Sequence, residues 1–461
     1  MGRRNMLAAL DVGTSKVAVV VGEPQDGDDT NVIGVGVSPS RGIRKGAVVD
    51  IEATVQSVAE AVEKAQRMAG VRVRSVCLGI SGGHIASFNS RGVVAVARDD
   101  KEITPEDVAR VLDAARVVSI PADREIIHVI PRQFIVDGTD GIRDPVSFLG
   151  VRLEVEAQIV TGAVTSIQNL LRSVYRAGLE VDEVVLSPLA AGEAVLLPAE
   201  REMGAVVADI GGGTTDIGLF TNGSLCFASA VPVGGDYITS DIAVGLRTPI
   251  PYAERLKVEH GVAACEQARD EAFFEIPGIR ALTAGAGFGP GAPGGPGAPG
   301  GSGVPFGGGV PFGGGGHLFP GAVAAAQDEG AAGDRRRQVS ERVLAGIIEP
   351  RAQEIFALIA REIKRSGYEG MLPGGVVLTG GTALLRGIAE VAATQLDLPV
   401  RVGVPEGVSG LPDIVGNPTF AAVVGILRYV GTQQAYGGEA GGRARGGSVF
   451  KRVRAWLRDF L

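Results

Sequence analysis

Two short polar runs, each led by an aspartate and built from glycine and hydroxyl residues, carry the clearest chemistry in this 461-residue chain. The first is Asp11 followed by Gly13, Thr14, Ser15 and Lys16; the second is Asp209 followed by Gly211, Gly212, Gly213, Thr214 and Thr215. Glycine tolerates positive φ and lets a ligand approach the backbone, so consecutive amides can point at one anion. The hydroxyls and the Lys16 ammonium add donors, and the two carboxylates suit Mg2+, held largely through water. The chemistry implied is capture of a magnesium polyphosphate. Each run lies between apolar stretches and reads as the tip of a β-hairpin. A Walker loop does not match the second run, which has no Lys after its glycines and no helix leaving the turn. One such tip alone reads equally as an ordinary hairpin. Two in register, about two hundred residues apart, read as a duplicated domain whose tips face each other across a cleft.

The flanking pattern supplies elements to position these tips. Residues 32–37 read as a strand, and Ile51, Val55, Val58, Val62, Ala65 and Met68 recur at helical spacing over residues 51–69. Residues 71–80 read as another strand. Residues 84–162 have a pattern of their own: a hairpin over 84–97, a helix opened by Thr104 and Pro105 and running to about 117, and strands over 125–136 and 150–160. A helix is expected over 164–177. Further on, Val233, Gly234, Gly235 and Asp236 form another turn where a ligand can approach backbone, and Glu254 and Lys257 share a helical face at i, i+3. A buried strand breaks at Thr379, Gly380, Gly381 and Thr382, where a flat base and ribose can lie against backbone; an ordinary strand-to-helix turn reads the same way. A long helix over 339–365, a helix to about 395, a strand over 400–402 and a closing helix over 421–430 complete the pattern.

Composition narrows the function classes. Charged residues make up 21% and the net charge is −8, so no global basic field exists for nucleic acid. Cys77, Cys226 and Cys265 lack zinc spacing, the 4 histidines form no metal-binding pair, and no apolar run is long enough to span a bilayer. A reducing cytoplasm is expected. Residues 284–333 are dominated by Gly, Pro and Ala, which cannot bury enough apolar surface to offset chain entropy, so a disordered insertion is expected there. Its Phe306, Phe312 and Phe319 suit contact with a partner, although a tolerated surface insertion reads alike.

The chain ends in a Gly-rich tether and then Ser448, a helix N-cap. On a helix, Val449, Phe450, Val453, Trp456, Leu457, Phe460 and Leu461 fall within an arc of roughly 140°, opposite Lys451, Arg452, Arg454 and Arg458. That face suits an anionic bilayer surface; the alternative is a terminal helix docked on its own core. Seven apolar side chains at ~1 kcal/mol each would give a dissociation constant near 10 μM. One tail therefore holds marginally, and several tails on one polymer hold firmly.

In this order, the two tips resemble the phosphate motifs of the actin, Hsp70 and hexokinase superfamily, and the run Gly380, Gly381 and Thr382 is similar to its adenosine motif. The wording of residues 124–163 and of 339–355 resembles the FtsA family within that superfamily. The resemblance covers about residues 5–430 apart from the glycine-rich insertion. It implies an α/β, actin-like duplicated ATPase fold with a two-lobed nucleotide cleft, a 1C insertion and a C-terminal amphipathic helix. The implied division is subdomain 1A in two pieces, 1–83 and 163–202, around a 1C insert at 84–162. Subdomain 2A follows in two pieces, 203–235 and 346–415, around 2B at 236–345. A return helix at 416–432, a linker at 433–447 and the membrane helix at 448–461 end the chain.

By the same resemblance the cofactors are ATP and Mg2+, with Asp11 and Asp209 on the metal, Gly235 approaching the nucleotide and Glu254 and Lys257 on the ribose; without the resemblance, the last two read as a surface ion pair. The implied protein polymerises beneath the inner membrane, binds the FtsZ C-terminal peptide and meets later division proteins through 1C. One departure matters. Relatives in the superfamily carry Glu where this chain has Ser187, and a hydroxyl is a poor base, so at most slow ATP hydrolysis is expected. Glu193, one turn on, is the other candidate base. A PilM-type pilus-assembly adaptor shares the ATP core and a similar insert but is not expected to end in a basic amphipathic helix. A sugar-kinase-like phosphotransferase needs a positioned base and a sugar pocket, for which the sequence offers no candidate.

Overall fold

A computed structural model describes residues 6–25, 29–276 and 337–439 of the chain. Its contacts separate into two compact units, residues Met1–Ile238 with Arg351–Leu461, and Thr239–Pro350.

The larger unit contains two sheets of one design. In the first, Leu7–Val12 pairs antiparallel with Lys16–Pro24, which pairs antiparallel with Thr30–Pro39. On its other side Leu7–Val12 runs parallel to Ser75–Ile80, which runs parallel to Glu180–Leu186. In the second, Ala205–Ile210 pairs antiparallel with Thr215–Thr221, then Ser224–Val231. Its other side runs parallel to Val376–Thr379 and then Val400–Val402. Each sheet thus puts the first strand of a hairpin at its centre, and the apolar strands around it are buried on both faces. The duplication expected from the two polar runs is present as repeated strand order.

Helix Ile51–Ala69 begins where the Asp50 carboxylate accepts the Ala53 N–H and ends at Gly70, whose φ of 68° is costly for other residues. It lies unusually close to strand Thr30–Pro39: a β-carbon at Gly36 would stand 1.9 Å from the Ala61 carbonyl oxygen. Met68 departs from the expected inward face, being 50% exposed, although its sulfur receives the Val35 N–H at 3.4 Å.

The insert has its own core and a sheet ordered Ala86–Ala95, Arg152–Ala163, Arg124–Val136 and Thr139–Ile142. Its helix, Pro105–Arg116, opens with a full capping box in which Thr104 and Asp107 exchange side-chain to backbone bonds. The hairpin expected over 84–97 is not formed. Ala86–Ala95 is one continuous strand along Arg152–Ala163, and Gly92 serves helix packing rather than a turn, since a β-carbon there would stand 2.2 Å from the Val111 carbonyl oxygen.

Two other boundaries differ from expectation. Val339 lies in strand Arg337–Ser340, drawn out by pairing with Phe273–Ile276, and the long helix is Glu341–Ser366. The closing helix, Ala421–Glu439, continues past residue 430 into the expected linker, through Gln433, Gln434 and Ala435, which favour helix, and on across Gly437 and Gly438. It packs on helix Ser187–Val195, where Gly425 passes so close that a β-carbon would meet the Ala190 carbonyl oxygen at 1.7 Å. Among the described residues, no helix is long and apolar enough to cross a membrane. The glycine-rich insertion with Phe306, Phe312 and Phe319, and the terminal helix from Ser448, lie outside the described residues.

Candidate functional site

Both hairpins turn in the same way. The Gly13 amide donates to the Lys16 carbonyl at 3.0 Å, and the Gly211 amide donates to the Thr214 carbonyl at 2.9 Å. None of Gly13, Gly211, Gly212 and Gly213 has positive φ, so left-handed backbone is not what these turns require. Space is. A β-carbon at Gly212 would lie 3.1 Å from the Ser15 β-carbon, and one at Gly213 would lie 2.7 Å from the Thr14 hydroxyl oxygen. The two tips meet face to face, and only glycine leaves room for that approach.

Charge gathers where they meet. Burial raises the Asp11 carboxyl above its usual range, with Lys16 opposing the rise. Burial, then the nearby Asp216 and Asp11, push Asp209 up to about 8, again with Lys16 opposing. Lys16 is lowered by burial and held charged by Asp11 and Asp209; its ammonium also sits 4.1 Å from the centre of the Phe420 ring. One cation thus faces two carboxylates, and a third, Asp216, opposite Asp209 in the ladder, is pushed up to about 6, chiefly by burial.

Asp216, which directly follows the second polar run, is not among the residues that the sequence singles out. Its carboxylate accepts the Gly82 amide at 3.1 Å and the Thr214 hydroxyl at 3.1 Å. Gly82 begins the segment leading into the insert, so the second tip is bonded directly to that junction. The Lys45–Gly46 turn was missed too: the Gly46 amide donates to the Thr14 hydroxyl oxygen at 3.2 Å. A lysine followed by glycine between short strands is the only local signal it offers.

The remaining candidates divide. The Gly235 and Asp236 amides donate to the Gly211 and Gly212 carbonyls at 2.9 and 2.8 Å. Gly380, at φ 86°, lies so near Asp209 that a β-carbon would stand 2.3 Å from its carboxylate, and the Thr382 hydroxyl donates to the Gly211 carbonyl at 3.2 Å. Gly381 between them is exposed, with open space above its α-carbon but for the Thr419 methyl at 3.9 Å. Thr215 is fully buried and its hydroxyl is committed to the Val233 carbonyl at 2.8 Å. Glu254 and Lys257 belong to the other compact unit, where they pair at 2.7 Å and both engage the Thr239 hydroxyl.

Ser187 and Asp11 flank Gly79: a β-carbon there would lie 3.3 Å from the Asp11 carboxylate and 3.3 Å from the Ser187 hydroxyl. That buried hydroxyl has no protein partner. Glu193, the other candidate base, is tied to Arg201 at 2.8 Å. Among the described residues, no group of three or more His, Cys, Asp or Glu side chains is placed to hold a metal. Two excess carboxylates and an unpartnered hydroxyl nevertheless fit a hydrated Mg2+, which takes few protein ligands and completes its shell with water and phosphate.

Comparison with known proteins bears on both parts of the molecule. Residues 82–161 match the family model described as the SHS2 domain inserted in FTSA, and residues 206–284 match that of cell division protein FtsA. The chain is 41% identical over 425 residues to cell division protein FtsA of Pseudomonas aeruginosa, covering 92% of this chain and 89% of that one. It is 38% identical over 429 residues to its Bacillus subtilis counterpart, covering 93% and 84%. Among solved structures it is similar to a PilM-PilN type IV pilus biogenesis complex, with a TM-score of 0.58 at 16% identity over 93% of this chain and 99% of that one. It is also similar to MreB 5 of Spiroplasma citri bound to AMPPNP, with a TM-score of 0.53 at 13% identity over 95% and 100%. The structural likenesses establish an actin-like fold.

Proposed function

The chain belongs to the FtsA family of cell-division proteins, and from that premise we propose that it binds Mg-ATP between its two hairpin tips and uses it to govern assembly at the membrane. The observation that carries the nucleotide reading is the contact of the tips around one lysine and the two carboxylates that face it, Asp11 and Asp209. Amides and hydroxyls of Gly13, Thr14, Ser15, Gly212, Gly213 and Thr214 would cradle the phosphates, with Lys16 as their point charge. Asp11 and Asp209 would hold Mg2+ largely through water, and the turn at Gly380, Gly381 and Thr382 would take the adenosine. The ion neutralises phosphate charge and the excess carboxylate charge together. Gly235 supports the second tip, while a ribose role for Glu254 and Lys257 rests on resemblance alone.

The Ser187 hydroxyl is not a base of carboxylate strength, so nucleotide would set conformation more than it turns over. Self-assembly into a filament, attachment of the FtsZ C-terminal peptide, contact of the insert with later division proteins and peripheral residence on the cytoplasmic face of the inner membrane complete the proposal. The membrane part is supported by the sequence pattern of residues 448–461, whose apolar face binds lipid marginally alone and firmly when multiplied along a polymer.

Calorimetric titration of the full chain with Mg-ATP tests the centre of this reading. Micromolar or tighter binding that Asp209→Asn weakens about thirtyfold is expected; no heat and no thermal stabilisation with millimolar Mg-ATP would overturn it. Loss of liposome binding on deleting residues 448–461, and pull-down by an immobilised FtsZ C-terminal peptide, test the two attachments.

A further inference from the structure

The Lys45–Gly46 turn joins short strands Ile43–Arg44 and Ala47–Val48, and nothing in the reading above uses its charge. Gly46 is wedged among the clasp residues. Its amide is bonded to Thr14, and a β-carbon on it would stand 2.9 Å from the Gly82 α-carbon and 3.3 Å from the Thr214 methyl. Lys45 itself takes φ 50°, a left-handed conformation that lysine seldom adopts. Its side chain is exposed and no described carboxylate pairs with it.

The ammonium rests 5.3 Å from the centre of the Tyr237 ring. Tyr237 directly follows Asp236, whose amide is bonded to Gly212 of the second tip. The lysine is therefore anchored to the first tip by its neighbour and perched beside the second by its ring contact. That perch is weak. An exposed cation such as Lys45 gains only about 0.5–1 kcal/mol from a ring, and Arg351 sits over the same ring at 5.6 Å, adding like-charge repulsion while paired to Glu354.

A polyanion lodged between the tips offers this ammonium a stronger partner than a shared ring. We propose that Lys45 is a terminal-phosphate ligand, leaving Tyr237 to pair with the third phosphate of a bound nucleoside triphosphate and so making the cleft discriminate triphosphate from diphosphate. The proposal rests on the reading of the cleft as a nucleotide site. Lys16 lies buried between Asp11 and Asp209 and serves whatever phosphate is bound. Lys45 comes from outside, on a turn that touches both tips, and is placed for the end of the phosphate chain alone.

The test is calorimetric titration of the full chain with the Mg2+ complexes of β,γ-imido-ATP and of ADP. Lys45→Asn removes the charge while keeping a residue that accepts left-handed backbone. It is expected to weaken the triphosphate about tenfold and to leave ADP within about twofold. Lys45→Arg is expected to recover most of the loss. Tyr237→Leu, which removes the perch, is expected to retain the preference for triphosphate. Equal loss of both nucleotides in Lys45→Asn, or loss of neither, overturns the inference; so does loss of the preference in Tyr237→Leu. Lys16→Met separates the two levels of argument. If it abolishes both nucleotides while Lys45→Asn changes nothing, the cleft remains a nucleotide site and only Lys45 is misassigned. If wild type binds neither nucleotide, the cleft reading and this inference fall together.

Discussion

The two halves of the larger unit share one strand order and one turn, yet their tips are chemically unlike. The first carries the buried cation, Lys16, with a single carboxylate, Asp11. The second carries two carboxylates, Asp209 and Asp216, and three glycines, of which Gly212 and Gly213 admit the first tip. Strand order preserves the place of each tip, while a few side chains divide the work between them. One half offers attraction for phosphate, and the other holds an excess of negative charge that a divalent ion would relieve. The halves are complementary because they are unequal.

That inequality can be broken from either side. The largest effect is expected for Lys16→Met. It strips two buried carboxylates of their counter-charge, so Mg-nucleotide affinity should fall about a hundredfold or more and the free protein should lose about 3 kcal/mol, read by calorimetry and urea unfolding. Asp209→Asn should weaken Mg-ATP by about thirtyfold but raise the melting temperature of the nucleotide-free protein once the pH exceeds about 8, where the wild-type carboxyl ionises beside Asp216 and Asp11. If both substitutions destabilise the free protein alike, the asymmetry is wrong.

Proton linkage sharpens the same contrast. Asp209 and Asp216 bind protons more tightly folded than unfolded, with folded values of about 8 and about 6. Their contribution is complete below about pH 4 and is lost as pH rises through those values. The melting temperature of the nucleotide-free protein should therefore carry a falling component between about pH 4 and 8 that shrinks in Asp209→Asn. Mg-ATP, which needs the ionised carboxylate, should bind more tightly at pH 8 than at pH 6 in wild type, and this gain should vanish in the variant.

A smaller effect is expected at the junction with the insert. Asp216→Ala removes the acceptor of the Gly82 amide and should cost about 1–3 kcal/mol, with faster hydrogen exchange at Gly82. Asp216→Asn, which keeps an acceptor oxygen, should spare that amide. The smallest is Glu254→Gln. As half of an ion pair whose lysine is only 12% exposed, with Gln keeping an oxygen for the Thr239 hydroxyl, it should change stability by about 1 kcal/mol and leave nucleotide affinity alone. A tenfold loss of ATP affinity would instead place the residue on the ribose.

What the sequence by itself determined is the part governed by local rules. Aspartate and glycine punctuation marked both tips, periodicity marked helix Ile51–Ala69, and Thr104 with Pro105 marked the start of Pro105–Arg116. Each of these depends on residues within a few positions of one another, so the backbone chemistry is visible in the string. Only the tertiary structure decided which strand Ala86–Ala95 pairs with, that Val339 is drawn into a sheet by Phe274, and that Gly92 makes room for a helix. It alone brought Asp216 to Gly82 and Lys45 to Tyr237, across separations no short-range pattern encodes. Pairing partners and the coupling of buried charges depend on distances in space, and those are known only once the chain has closed on itself.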